Sequence, residues 1–393
     1  MNDFLNDRIP QLIAIITKEI RSREDKKKKW AKFKRDNNQE LRNLLEIPVQ
    51  ADVRAGDLLG FDIDADKNLI LLNYTAQAHA VLHDVEDGWT PALRFMRGLV
   101  YEFGEPGDLS QIKLASRGFE KFFNYEEMPE TRLWSLLREA PEGELVVCRE
   151  KADGHMIEYF MNGQELLSTT RGKMGTVSSE IALEMFSRSQ FIKTAVVASA
   201  HDFDLMTVVV ELVHPNTQVL VDYDGQEQLF LLAAYDKHGN AAPLWLLNKI
   251  ADEMQCYTMP RVREMTLHEL VAEVKDRSVH NNEGWVASIG DRLVKFKYET
   301  YIGMMVSAKL SYKYVMRCIQ NNRAEKMFST LPEEVRPVAD KMIEEVIERV
   351  RDSKRSGGGY KVLYGLHNSN EGGVDYFRSV CREFWREWAL NNV

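Results

Sequence analysis

Four cysteines in 393 residues (Cys148, Cys256, Cys318 and Cys381) lie far apart, and no two form a C-x-x-C pair. That spacing argues against a disulfide framework or a structural zinc and predicts free thiols in a reducing cytoplasm. Long apolar stretches are equally scarce. Leu229–Ala234 and Val208–Val213 fall far short of the ~20 residues that cross a bilayer, so no membrane partner is expected. An excess of positive charge is missing as well: 51 Lys and Arg face 60 Asp and Glu, for a formal net charge of −9. A basic footprint over the whole chain is thereby excluded, and nucleic acid must be met by local patches. The first eight residues hold two aspartates and no small-residue cleavage site, which predicts no secretory signal. Internal repeats and low-complexity tracts are absent. What is present is an ordinary globular composition, 44% hydrophobic and 28% charged. At roughly 150 residues per domain, it is enough chain for two to three domains.

Three textures follow one another. Pro10 to Arg35 reads as one helix, with Leu12, Ile13, Ile16 and Ile20 at helical spacing after a proline in the first turn. Its second half is basic, with Lys26 to Lys29 in a row and Trp30 and Phe33 among the charges. This is either a solvated face or a contact for a phosphate backbone. Residues 1–50 are therefore expected to form a basic helical extension.

From 51 to about 300, short β-type runs alternate irregularly with helices. The runs are Leu69–Tyr74, Leu99–Phe103, Ile112–Ser116, Glu144–Cys148, Met156–Phe160, Glu165–Thr169, Thr207–Val213, Gln228–Ala234, Gly284–Ser288 and Leu293–Phe296. Helical spacing covers Ser178–Phe186, Leu244–Met254 and Leu267–Lys275. This pattern predicts an α+β domain built on antiparallel sheets.

Residues 301–393 read as helical throughout: Tyr301–Asn321, Glu333–Arg351 and Val374–Ala389, with Ser356-Gly357-Gly358-Gly359 as a break. The stripe Tyr376, Phe377, Val380, Phe384, Trp385 and Trp388 reads as packed core. Lys309, Lys313 and Arg317 at four-residue spacing form either a solvated face or a phosphate-facing stripe.

Chemistry concentrates in the middle. Lys151-Ala152-Asp153-Gly154 follows one predicted strand and precedes another. Alone it is weak, since Asp-Gly is a common hairpin turn. Glu283-Gly284 lies further on, and in Leu293-Val294-Lys295-Phe296-Lys297 the alternation puts Lys295 and Lys297 on one strand face. Two cations side by side invite an anion such as phosphate. Glu211 interrupts the apolar run Val208-Val209-Val210-Glu211-Leu212, where a carboxylate is costly unless paired, hydrogen-bonded or metal-associated.

This order, K-x-D-G, acidic strand, E-G and K-x-K, resembles the covalent nucleotidyltransferases, the superfamily of ATP-dependent ligases and mRNA capping enzymes. Arg97-Gly98-Leu99-Val100-Tyr101-Glu102, Lys121-Phe122-Phe123-Asn124, Thr170-Arg171-Gly172-Lys173 and Glu211-Leu212-Val213-His214-Pro215 are similar to further blocks of the phage RNA ligase 1 family, the tRNA-repair type.

The resemblance implies a ligase-type nucleotidyltransferase domain over 51–300. A helical C-terminal domain for RNA or tRNA recognition would follow it over 301–393. It implies an enzyme that uses ATP and magnesium, with manganese able to substitute, and joins 5′-phosphate and 3′-hydroxyl RNA ends, nicked tRNA among them, as a monomer. Lys151 would take AMP from ATP as a lysine–AMP phosphoramidate, with Lys295 and Lys297 assisting at the α-phosphate. Asp153, Glu211 and Glu283 would hold the metal, or Glu211 the ribose. Arg97 and Lys121 would meet the outer phosphates. Gly154 would let the backbone approach the nucleotide, and either Arg171 or Lys173 would be the cation of its block. Phe123 would pack near the base or belong to the core. A DNA ligase, another covalent nucleotidyltransferase, and a silent RNA-binding protein on the same scaffold are the alternatives.

Overall fold

A computed structural model describes residues 4–82, 85, 88–105, 107–367 and 374–393. The chain divides into two compact units, residues 1–276 with 281–297, and residues 277–280 with 298–393.

The first unit opens with helices. α1 (Ile9–Glu19) carries Pro10 in its first turn and buries Leu12, Ile13 and Ile16. The expected single helix to Arg35 is in fact two. The chain turns extended at Ile20, and Ser22 caps α2 (Arg23–Asp36) by accepting a hydrogen bond from the Asp25 amide. A serine at that position satisfies an orphan amide and so starts a new helix. α3 (Asn38–Leu44) completes the group.

Thirteen strands follow among the described residues. They are β1 (Leu59–Asp64), β2 (Leu69–Tyr74), β3 (Arg97–Glu102), β4 (Lys113–Ser116), β5 (Phe123–Asn124), β6 (Leu145–Lys151), β7 (His155–Asn162), β8 (Glu165–Thr170), β9 (Leu205–Val213), β10 (Gln228–Asp236), β11 (Val262–Thr266), β12 (Gly284–Ile289) and β13 (Arg292–Lys297). They form three sheets, ordered β1-β2-β3-β4, β10-β9-β7-β8 and β11-β6-β12-β13-β5. All pairings are antiparallel except β5 with β13. The α+β class with antiparallel sheets is as expected.

The N-terminal extension is corrected by its packing. Leu12, Ile16, Phe33 and Leu41 share one buried core with Phe61 of β1, Ile70 of β2 and Leu99 of β3. Residues 4–50 are therefore a wall of the first unit, not an arm. Phe33 is fully buried, and Trp30 stacks on it and meets Phe61 edge-on, so that aromatic pair is anchored in the core. A second core lies under the middle sheet, where Tyr159, Val208 and Leu231 pack against Phe186, Leu247 and Ile250. Three strands had no clear pattern in sequence. β1 buries nearly every side chain, β5 has two residues, and β11 is mostly exposed, so none alternates.

The second unit is helical, and no strand occurs among its described residues. The expected helix Tyr301–Asn321 is two, Glu299–Lys309 and Tyr312–Gln320, because the chain is extended at Leu310 and Ser311 caps the second. Lys309 therefore does not share a helix with Lys313 and Arg317. Lys313 sits over the Tyr376 ring, and Arg317 donates to the Tyr376 hydroxyl at 3.0 Å. Helix Arg336–Ser356 stops at Gly357, whose φ of 73° a glycine takes without strain. Of the aromatic stripe, Phe377, Val380 and Phe384 are buried, whereas Tyr376 is 47% exposed.

Candidate active site

The third sheet brings the signature residues together by register. Lys151, the last residue of β6, lies opposite Gly284 of β12, and Gly284 lies opposite Lys297 of β13. One row therefore reads Lys151, Gly284, Lys297. The next reads Arg149, Val286, Lys295. Because side chains two apart share a strand face, both rows present cations on the same side.

The gap at Gly284 matters. A Cβ there would lie 2.0 Å from the Phe296 carbonyl oxygen, so no other residue fits this backbone, whose φ is 148°. Nothing then separates the two lysines. Glu283 bridges them, with Oε2 2.8 Å from Lys151 Nζ and Oε1 3.1 Å from Lys297 Nζ. The carboxylate is buried, and both its oxygens are occupied.

Ala152-Asp153-Gly154 carries the chain from β6 in the third sheet to β7 in the middle one. Gly154 is required by a close approach of backbone, because a Cβ would lie 2.2 Å from the Leu212 carbonyl oxygen of β9. On β9, Glu211 pairs with Met156 of β7 and Phe230 of β10. Between the two sheets lies a cavity of about 470 Å3, a volume suited to a nucleotide-sized ligand. Lys151, Glu211, Lys295 and Lys297 line it, and Arg97, Arg171 and Gly154 join them.

Electrostatics differ around the cavity. Glu211 shows part of its surface to the cavity but is otherwise enclosed. Burial pushes its carboxyl up to about 7, against the pull of Lys151. Beneath it, Glu158 of β7 is fully buried. Its Oε2 accepts from Ser116 Oγ at 2.7 Å, while its Oε1 has no hydrogen-bond partner. Burial raises this carboxyl to about 8, opposed by Ser116 and Arg97. Arg149, reaching the Leu232 carbonyl at 3.4 Å, is likewise pulled below its ordinary value by burial.

Several expected residues stand elsewhere. Lys121 is 4% exposed, lies 3.7 Å from Glu127, sits over the Phe123 ring, and does not line the cavity. Phe123 is buried in the first core against Trp89. Phe122 is the cavity residue of that block, with Lys295 5.0 Å from its ring centroid. Asp153 turns away from the cavity, and its Oδ2 accepts from the amides of Leu220 and Val221, each at 2.8 Å.

Asp153, Glu211 and Glu283 thus do not converge as a three-carboxylate metal site. Among the described residues, no group of three His, Cys, Asp or Glu side chains could hold a metal ion. Arg171, not Lys173, lines the cavity, held by a hydrogen bond of 3.1 Å to the Tyr74 hydroxyl. Arg149, Phe119, Phe122 and Met156 also line it and were not anticipated. Arg149 was findable, since it stands two residues before Lys151 on a predicted strand.

Residues 95–301, more than half of the chain, match the family model described as RNA ligase. The chain belongs to the RNA ligase family. A curated relative of this family chain, named "Putative RNA ligase", from Thermovibrio ammonificans, is 26% identical over 259 residues. That match covers 62% of this chain, and the chain spans 62% of the length of the relative. Among solved structures, an archaeal ATP-dependent RNA ligase is 13% identical, with a TM-score of 0.46 over 80% of this chain and 82% of its own. A Naegleria gruberi RNA ligase with PPi is 12% identical, with a TM-score of 0.36 over 47% of this chain and 56% of its own.

Proposed function

We propose that this protein is an ATP-dependent RNA ligase joining 5′-phosphate to 3′-hydroxyl ends through a covalent adenylate on Lys151. The observation that carries the reading is the bridge of Glu283 to Lys151 and Lys297 across Gly284, at 2.8 and 3.1 Å, in the wall of a nucleotide-sized cavity.

In the first step Lys151 Nζ attacks the α-phosphorus of ATP. A P–N bond forms, the bond from the α-phosphorus to the bridging oxygen breaks, and pyrophosphate leaves. The amine must first lose a proton, and Glu283 Oε2 is the acceptor within hydrogen-bond reach. Arg97, Arg171, Lys295 and Lys297 line the space where triphosphate charge would lie, which favours the charge developing in the transition state. Magnesium, which binds through one or two carboxylates plus substrate phosphates, would use Glu211 and supply further charge neutralisation.

Two displacements complete the reaction. The 5′-phosphate of an RNA end takes AMP from Lys151, making a 5′–5′ pyrophosphate. A 3′-hydroxyl then attacks that activated phosphate, and AMP departs. Each is an in-line attack at phosphorus, so one set of cations serves all three steps. A nicked tRNA as substrate and a monomeric enzyme are what the family resemblance favours.

DNA ligases and capping enzymes carry a barrel of short strands after the K-x-K block. The helices of the second unit favour RNA ligation over those readings.

The test uses ATP labelled at the α-phosphate with single-stranded 5′-phosphorylated RNA and magnesium. The parent protein is expected to become labelled and to make circles, and Lys151→Ala to do neither. A parent that takes no label and joins no RNA would sink the reading.

A further inference from the structure

A second concave surface of the first unit remains after the nucleotide cavity is assigned. α2, β1 and the segment after β8 enclose a groove of about 490 Å3. Its lining is Arg23, Lys26, Lys27, Trp30, Lys34 and Lys173, together with Ala31 and the carboxylate of Asp62.

These cations have different duties. Arg23 donates to both oxygens of Asp62, at 2.8 and 2.7 Å, and Lys34 pairs with Asp57. Lys26 donates to the Phe61 carbonyl and lies 4.2 Å from the Phe61 ring centroid. Those three build the wall. On the helix surface outside the groove, Lys28 pairs with Glu24 and Lys29 with Asp25. Lys27 and Lys173 are different again, since neither side chain has an ion pair or hydrogen bond with a described residue. The helix spends Glu24 and Asp25 on the outer lysines and leaves Lys27 in the groove open to an anion.

Trp30 offers an aromatic surface in the same groove. It is held in place by stacking on Phe33, with ring centroids 5.4 Å apart, and by an edge contact of 4.8 Å to Phe61. Unpaired cations beside a braced aromatic ring are what single-stranded nucleic acid meets on its binding proteins, phosphate to cation and base to ring.

The groove adjoins the nucleotide cavity through one short segment. Thr170, Arg171 and Gly172 line the cavity, and the next residue, Lys173, lines the groove. The segment is pinned on both sides. The hydroxyls of Thr169 and Thr170 donate to the Lys173 carbonyl at 3.0 Å, and the Met174 amide donates to Asp62 Oδ2 at 3.1 Å. Asp62 is also the partner of Arg23, so helix, strand and loop are tied at one carboxylate.

We propose that this groove carries the backbone of the RNA strand whose end reacts in the cavity, with Lys27 and Lys173 on phosphates and Trp30 under a base. The inference rests on the ligase reading and adds where its polymer substrate lies. Deleting the N-terminal residues cannot test it, because they are part of the core. Point substitutions can.

Binding of a single-stranded, 5′-phosphorylated RNA with a blocked 3′ end is measured across a salt series for the parent, Lys27→Ala, Lys27→Ala with Lys173→Ala, and Lys28→Ala. Each lost phosphate contact is expected to lower the slope of log affinity against log salt by ~0.7. The double variant should therefore lose about twice the slope of Lys27→Ala and bind more weakly at low salt. Lys28→Ala, whose lysine is already paired, should keep the parent slope.

Parent slopes in both groove variants overturn the proposal. So does an equal fall in Lys28→Ala, which would mean that only general charge is sensed. Labelling of Lys151 from ATP, followed in the parent and in Lys28→Ala, tests the ligase reading separately. A parent that binds RNA with the expected slopes but takes no label would overturn that reading and leave the groove standing.

Discussion

The two walls of the nucleotide cavity handle charge in opposite ways. On the β6–β12–β13 wall opposite charges are paired, with Glu283 between Lys151 and Lys297. On the β7–β9 wall two carboxyl groups are enclosed with little compensation. Glu211 is raised to about 7 and Glu158 to about 8, each chiefly by burial. A buried charge is tolerated when paired, and otherwise the group keeps its proton. The first wall thus balances its charges by pairing them. On the second, burial raises both carboxyls towards neutrality.

The sharpest way to break this contrast is to remove the bridge. Glu283→Ala leaves two largely buried lysines without their shared partner, a loss worth ~3–5 kcal/mol in comparable buried pairs. The expected result is a large fall in the thermal midpoint and no detectable AMP on Lys151. Unchanged melting would mean that the bridge is not a structural element.

The opposite wall should respond in the opposite direction. The folded-state value of Glu158 lies above its unfolded one, so its stabilising contribution is complete below pH 4.5 and is lost as pH rises towards about 8. Glu158→Gln removes that penalty. At 1.36 kcal/mol per unit it should raise stability by roughly 4 kcal/mol at pH 8 and by little at pH 4.5. Denaturant titrations of both proteins at the two pH values check this, and an equal difference at both would refute the protonated assignment.

The smallest effect is expected at the rim. Tyr74→Phe deletes only the hydroxyl that holds Arg171 at 3.1 Å, a hydrogen bond worth ~1 kcal/mol. The KM for ATP in the adenylylation step should rise about fivefold with little change in kcat, by the same ~1 kcal/mol. A fall in kcat without a change in KM would place the role of Arg171 in the transition state.

Much of this cavity was legible because its residues are read by strand alternation. Lys295 and Lys297 share a face by parity alone, whereas Lys151, Glu211 and Glu283 were joined to them only through the family resemblance of their order. What stayed hidden depends on three-dimensional neighbours. Lys121 and Asp153 carry the right charges in motif positions, yet they are satisfied by Glu127 and by the amides of Leu220 and Val221. No local pattern announces a partner that far away in space. Of adjacent Phe122 and Phe123, one faces the cavity and the other the core, which parity cannot decide in a strand of two residues. The basic segment misled for a related reason. Composition made it an arm, whereas Phe33 and Leu41 tie it into the sheet packing.

The crossover from β6 to β7 has a mechanical consequence. Lys151 ends one sheet and His155 begins the next, with Ala152, Asp153 and Gly154 as the whole covalent span between them. The Cβ-free contact of Gly154 at Leu212 and the two amides on Asp153 hold that span at its far end and its middle. The position of Lys151, the proposed nucleophile, relative to the middle sheet is therefore set by a covalent span of only three residues. The spacing of the two walls and the placement of the proposed nucleophile are thus coupled through one short strap.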